Sequence, residues 1–331
     1  MASRHKRPVK LDAQCNLEVR GRSIALDRSG SDVCFVSHAH SDHTSALKGR
    51  TRSVLASDAT LALAGNGTHG KAELDGLEVE LLASGHMLGS RQLRVETADG
   101  SFTYTGDFKL GKSLTAEPAE IRETDTLMIE GTFGDPRYAF PDREHVVDGI
   151  AEFVTRNHDD GHIVLLGGYT LGKAQELVAI VNRRCHLTPV VSERIADACG
   201  IYSLFGVPLD AAGIGSHDAE EIMRDAFVAV MPFHQVNFDL AVKLSRAYHK
   251  SVYSAVATGW AASTRFPVDE AFPLSDHADF NEIVQYVQDA KPKTVYCCHG
   301  NEQALSRELQ KRGFNATPAR DGAFQTCLGG L

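Results

Sequence analysis

The 331-residue chain predicts an α/β protein: a strand-rich layered portion interrupted by an α/β unit with a parallel sheet. Three observations lead there. Short β-branched or apolar runs ending in polar loops fill the first part of the chain. Helical spacing of apolar residues sets in at Glu144. Beyond it, buried-looking runs alternate with amphipathic stretches as far as Arg312.

In order, Ile24–Asp27, Val33–Val36, Val79–Ala83, Phe102–Thr105 and Leu127–Ile129 read as strands with few helices between them. Val146, Ile150, Phe153 and Val154 then recur on one helical face, and Ile163–Leu166 follows as a buried strand. Gly172 opens a helix to Arg184 that carries Leu177, Val178 and Val181 on one side. Strands Phe227–Met231, Ser251–Ala255 and Thr294–Cys298 alternate with helices Phe238–His249, Asn281–Ala290 and Gln303–Arg312.

An apolar fraction of 43% supports a sizeable core and excludes disorder. No apolar run nears the ~18 residues of a membrane span. The N-terminus is charged with no apolar stretch behind it, so no secretory signal is expected. Seven cysteines without a C-x-x-C pair indicate neither a disulfide framework nor a zinc ribbon, and adjacent Cys297 and Cys298 would face opposite sides of a strand. A soluble, cytoplasmic protein is expected. The net charge is −9, although Arg4, Lys6, Arg7, Lys10, Arg20 and Arg22 make the first 25 residues locally basic, as a solvated tail would be. An acidic chain does not coat itself with nucleic acid, so a polyanionic substrate needs a site where bound cations reverse the sign locally.

Chemistry concentrates in VCFVSHAHSDH, residues 33–43, where an apolar strand runs into His38, His40, Asp42 and His43. Four potential ligands within six residues at a buried strand end are costly unless a cation neutralises them. His38 and His40 share one face by alternation, whereas Asp42 and His43 lie past the strand end, where a turn could carry them to a second ion. Leu81–Ala83 runs into Ser84-Gly85-His86, and Phe102–Thr105 into Gly106-Asp107, repeating the order strand, glycine, ligand. Asp107 has two oxygens and could bridge cations ~3.5–4 Å apart.

Gly167-Gly-Tyr-Thr-Leu-Gly-Lys173-Ala174 differs from a phosphate-cradling P-loop only in Ala for the magnesium-binding hydroxyl, which argues against nucleotide hydrolysis. Lys173 at a helix start remains an anion contact for a substrate strand, against the plainer reading of a capped helix with an exposed lysine. Tyr169 and Trp260 could stack a base or belong to the core.

H-x-H-x-D-H, a strand-end His and then Gly-Asp resemble the metallo-β-lactamase fold of binuclear zinc hydrolases. IEGTFG at Glu130, HIVLLGGYTLGKAQELVAIV, SDHADF at Ser275–Phe280 and YCCHGNEQA at Tyr296–Ala304 resemble, in order, elements of the β-CASP nucleases. The length is similar to that of the ligase-associated DNA exonuclease branch. The resemblance implies an αββα four-layer sandwich from residues 1–136 and 263–331, with a β-CASP-like α/β cap over 137–262 and the metal site in the cleft between them. It implies His38, His40 and His86 on one zinc, Asp42, His43 and His277 on the other, and Asp107 bridging. Asp27 would orient a ligand His, and Asp42, Asp107, Glu130 and His299 would be catalytic. Longer relatives carry a His between the Gly-aromatic pair and the late His motif. Here that stretch, TGWAASTRFPVDEAFPLSDH, has none before His277; Arg265 could clamp a phosphate but not act as the acid, which leaves open a metal-bound water, His299, or stabilisation of the leaving oxygen by zinc alone.

The activity implied is that of a phosphodiesterase with two zinc ions, manganese being the alternative, acting as an exonuclease on single-stranded DNA in repair, with RNA processing second. Implied partners are a nucleic acid strand and a DNA ligase or RNA-processing factor, with no membrane. A small-molecule hydrolase of the same fold and a non-catalytic scaffold are the competing classes. The first would need no cap, and the second would have lost ligands.

Overall fold

The computed structural model describes residues 10–319 apart from 13–14, 20, 32, 49–52, 66–76 and 99. Arg4, Lys6, Arg7 and Arg20, the core of the basic N-terminal stretch, lie outside the described residues. The chain forms two compact units. The first comprises the described parts of Met1–Lys112, Glu117–Tyr138 and His277–Leu331, and the second Ser113–Ala116 and Ala139–Asp276.

The first unit begins with β1 (Lys10–Leu11), β2 (Leu17–Val19), β3 (Arg22–Leu26), β4 (Val33–Phe35) and β5 (Ser53–Leu55), which lie side by side in that order. Helix α1 (Asp58–Leu63) follows, its start capped by Ser57, whose Oγ accepts from the Thr60 N–H. Next come β6 (Glu78–Ala83), β7 (Arg91–Thr97), β8 (Gly100–Tyr104) and β9 (Thr126–Gly131). β7 escapes a hydrophobic-run reading because its buried Leu93 and Val95 alternate with Arg94 and Glu96.

The second unit opens with α2 (Arg143–Asp159), capped by Asp142. It continues through β10 (Ile163–Gly168), α3 (Lys173–Cys185), β11 (Val190–Val191), α4 (Glu193–Leu204), β12 (Ala212–Gly213), α5 (His217–Ile222), β13 (Val228–Pro232), α6 (Phe238–Tyr248), β14 (Val252–Ala257) and β15 (Glu270–Phe272). Its described strands pair in parallel in the order β12-β11-β13-β10-β14-β15. Alternate residues of β10 point to opposite faces. Val164 and Leu166 join a core with α2, α3 and α4, whereas Ile163 and Leu165 pack with α5 and α6.

The chain then returns to the first unit with α7 (Phe280–Ala290), β16 (Thr294–Gly300), α8 (Glu302–Lys311) and β17 (Ala316–Pro318). The second sheet of that unit has the order β17-β16-β9-β8-β7-β6, antiparallel from β6 to β8 and parallel from β8 to β17. Leu17, Ile24, Phe35, Leu93, Phe102 and Met128 fill the space between the two sheets. Ala25, Cys34 and Leu61 form a core on the outer side of the first sheet with α1. Ile129, Ile283 and Leu305 form one on the outer side of the second with α7 and α8. This is an αββα sandwich. Each fully buried Leu, Ile or Phe in these layers contributes roughly 1.5–3 kcal/mol of transfer free energy. Cys297 and Cys298 do fall on opposite faces of β16, and Cys15, Cys34, Cys185, Cys199, Cys297 and Cys298 are free thiols. Among the described residues no helix is long and apolar enough to cross a membrane.

Candidate metal centre

The ends of β4, β6, β8, β9 and β16 in the first unit carry the polar residues picked out in the sequence. Past β4, His38 Nε2 lies 3.1 Å from His40 Nδ1, and His86 Nε2, past β6, lies 3.1 Å from the same atom. Asp107 Oδ2 stands 3.6 Å from His38 Nε2, 3.4 Å from His43 Nε2 and 4.0 Å from His86 Nε2. Asp107 belongs to three groups whose ligand atoms lie within 4.8 Å of one another: with His38, His40 and His86, with His43 and His299, and with Glu130 and His277.

Glycines make this convergence possible at two turns. Gly85 has φ +81°, and a Cβ there would sit 2.1 Å from the Lys109 carbonyl oxygen. Gly106 has φ +54°, and its Cβ would meet Ser37 Cβ at 2.6 Å. The approach of the Asp107 turn to Ser37 therefore needs a residue without a side chain.

A buried hydrogen-bond layer fixes the rings. Asp27, itself at φ +55°, accepts from Ser37 N–H at 2.6 Å, Ser37 Oγ at 2.7 Å, Tyr104 OH at 2.8 Å and His43 Nδ1 at 2.8 Å. Because Ser37 Oγ donates to Asp27, it accepts from His38 Nδ1 at 2.9 Å, leaving the Nε2 lone pair of His38 aimed at the cluster. His43 Nδ1 donates to Asp27, which turns its Nε2 toward Asp107. Glu130, wholly buried, receives His277 Nδ1 at 3.0 Å and the Phe108 N–H at 2.8 Å. Two carboxylate–imidazole pairs thus flank the centre, each setting a tautomer.

Electrostatics express the same design. Burial alone would lower His43, but Asp107 and Asp27 beside it raise it to about 10. Burial pushes Asp107 up to about 7 against the pull of His43. Burial and the neighbouring imidazoles hold His38 well below its ordinary value, and burial followed by His43 brings His299 down to about 4. Burial would raise Asp27, yet His43 and Ser37 bring it below its usual value. Imidazole nitrogens sit 3.1 Å apart here, and His40 Nδ1 has one proton or one lone pair to offer two of them. They do match the ~3.3 Å edge of a tetrahedron with metal–nitrogen bonds of ~2.0–2.1 Å. The donor set of imidazoles and carboxylates fits a borderline cation such as zinc.

Several expected residues sit differently. The Asp42 carboxylate is 57% exposed at the rim, 3.7 Å from His43 Nε2, and the structure groups His43 with Asp107 and His299 instead. His299, at φ +56°, stacks on His43 with ring centroids 5.2 Å apart, and its Nε2 lies 3.1 Å from Tyr104 OH. At about 4, its pKa makes it a neutral imidazole near pH 7, a poor proton donor. The phosphate reading of Lys173 is corrected. Its side chain is 2% exposed, and its Nζ pairs with Glu176 at 3.1 Å and Asp276 at 2.5 Å, so both its charge and its space are taken. Arg265 is exposed in the second unit. Ser37 and Tyr104 escaped the sequence reading; a sign of Tyr104 was its place two residues before Gly106, on the face that alternation turns away from Thr103 and Thr105.

The αββα sandwich gathers at its strand ends a His/Asp cluster that could hold a metal ion. Residues 270–317 match the model of the Zn-dependent metallo-hydrolase RNA specificity domain. The chain is 31% identical over 314 residues to a probable DNA ligase of Opitutus terrae, covering 85% of this chain and 28% of that protein. It is 27% identical over 300 residues to the 5′ exonuclease Apollo of Gallus gallus, covering 84% of this chain and 62% of that one. The chain thus spans less than two thirds of either relative. A crystal structure of a protein of unknown function from Enterococcus faecalis superposes with a TM-score of 0.58 at 16% identity, over 87% of this chain and 79% of that one, and shares the fold. These matches support the resemblance to the metallo-β-lactamase/β-CASP family.

Proposed function

We propose that the chain is a metal-dependent nuclease that hydrolyses phosphodiester bonds, an exonuclease on single-stranded DNA. The observation that carries the reading is the convergence of His38, His40, His86, His43 and His277 on Asp107, with Asp27 and Glu130 behind two of the rings. Nucleic acid as substrate rests on the similarity to an exonuclease and a ligase, over 84% and 85% of this chain. RNA is the second reading, favoured by the RNA specificity match over residues 270–317.

In this proposal His38, His40 and His86 hold one zinc ion, His43, Asp42 and His277 the other, and Asp107 lies between them. Two such cations supply Lewis acidity and an activated water near neutral pH. The chain's own residues do the positioning. Asp27 and Glu130 keep His43 and His277 in the tautomer that presents Nε2, and Ser37 does so for His38. Tyr104 ties His299 to Asp27, which holds that ring against His43. Residues 137–262 serve as the β-CASP-like cap domain, and exposed Arg265, just past it in the chain, is the phosphate contact. A DNA ligase or an RNA-processing factor is the partner class, and the reduced thiols fit a cytoplasmic setting.

The test is digestion of end-labelled DNA and RNA strands carrying 5′-phosphate or 5′-hydroxyl, with zinc or manganese. A ladder of single-nucleotide steps on DNA is expected. Uncut strands with either metal would refute the nuclease reading, and cleavage of RNA alone would replace the first reading with the second.

A further inference from the structure

The second unit holds a feature that the metal centre does not use. In its parallel sheet β10 and β13 are neighbours, Gly168 pairing with Pro232 at their carboxyl ends. From β10 the chain continues through α3 on one face to β11. From β13 it continues through α6 on the other face to β14, beyond β10. The strand order therefore reverses between these two carboxyl ends, where open α/β sheets leave a ligand-binding crevice.

The residues immediately past those ends are Tyr169 and Phe233, and their rings lie nearly parallel, 11° apart with centroids at 6.2 Å. Phe266 meets Phe233 edge-on at 5.4 Å and backs the stack. The side chains of Thr258 and Trp260 lie beside the phenol oxygen, at the tip of the Tyr169 ring. Tyr169 is nonetheless 53% exposed. A half-exposed aromatic braced by a neighbouring parallel ring is pre-organised for a flat partner. Directly after Phe233, an open cavity of about 400 Å³ is lined by His234, Gln235, Asn237, Asp239, Leu240 and Lys243, polar groups suited to a sugar–phosphate backbone.

We propose that this crevice is a base-stacking subsite for single-stranded nucleic acid, with Tyr169 as the platform and the cavity beside Phe233 taking the adjoining backbone. It deepens the nuclease reading and rests on it for the identity of the strand. Aromatic platforms of this kind accept any base, because every base has a π-face. Tyr169 is a positioning residue, since nothing places it at the reacting phosphorus.

Fluorescence anisotropy with the zinc-loaded full chain and a phosphorothioate-linked oligodeoxythymidine tests it. Tyr169→Ala is expected to weaken binding about tenfold, and Tyr169→Trp to restore it. On a fully abasic strand wild type and Tyr169→Ala should bind alike. Equal affinities on the oligothymidine, or a penalty that persists on the abasic strand, would overturn the subsite, and Tyr169→Trp decides the matter if the alanine variant folds poorly. Free thymidine monophosphate bound as tightly as the strand would overturn the strand assignment. Cleavage of an unmodified strand, followed alongside, separates the two readings. Tyr169-dependent binding without any cutting refutes the nuclease alone, whereas cutting with a KM indifferent to Tyr169→Ala refutes the subsite alone.

Discussion

Lys173→Met separates a structural lysine from a substrate-binding one. The Lys173 side chain is 2% exposed and lies between Glu176, 1% exposed, and Asp276, 12% exposed, with Arg143 also on Glu176. Removing one partner of a buried pair typically costs about 3–5 kcal/mol, because the remaining charge stays desolvated. Glu176 keeps Arg143 in the variant, so the loss should lie at the lower end, about 3 kcal/mol. At roughly 2–4 °C per kcal/mol for a unit of this size, the thermal midpoint should fall by about 6–12 °C. Differential scanning calorimetry measures it, and Glu176→Gln in the same background should add less than its own separate cost. KM for a nucleic acid strand should stay unchanged at a temperature where both proteins are folded. An unshifted midpoint together with a KM raised tenfold or more would refute the burial argument and restore the phosphate contact.

The remaining expectations concern the same network and the metal centre. Arg143 and Lys173 hold Glu176 below the usual carboxylate range despite its burial. Its ionised form therefore stabilises the fold fully above the unfolded pKa of ~4.3, and that stability is lost as pH falls below it. Urea denaturation should find Glu176→Gln less stable than wild type at pH 7, with the gap closing as pH drops below about 4. Asp27→Asn removes the acceptor shared by Ser37, Tyr104 and His43, and competitive chelator titration should show zinc affinity reduced about 10–100-fold. Glu130→Gln should do the same through His277. Asp107→Asn and His40→Ala should abolish cleavage while leaving the far-ultraviolet circular dichroism intact, and undiminished turnover in either would exclude the proposed centre. Gly106→Ala forces a Cβ to within 2.6 Å of Ser37 Cβ, and should cost about 1–3 kcal/mol in urea unfolding.

The strands that carry the site were legible because their apolar runs stop abruptly at ligand-type residues, as at Phe35 and Tyr104. The short strands β1, β2, β12 and β17 have too few residues to show a period, and they are defined by their neighbours. His38, His40, His86 and Asp107 were readable as a set because each follows a strand end, whether in one compressed motif or after a glycine. Ser37 and Tyr104 were not, since their roles arise only when β3 pairs with β4 and β8 faces them across the sandwich. Lys173 misled for the same reason. Its local context describes an anion site, while Asp276, which occupies its ammonium, is 103 positions away.

The pairing of β9 with β16 has a further consequence, for the order of folding. Cys298 Sγ reaches the Ile129 carbonyl across 169 positions of chain, with the Ala139–Asp276 part of the second unit between them. Closing so long a loop as open coil costs roughly 2 kcal/mol more than a short helical crossover would, by the logarithmic dependence of loop entropy on length. If the inserted unit collapses first, most of that coil is already consumed before the two strands meet. Self-assembly of the sandwich that gathers the His/Asp cluster is thereby coupled to maturation of the insertion, and a lesion confined to the insertion would surface as delayed acquisition of metal.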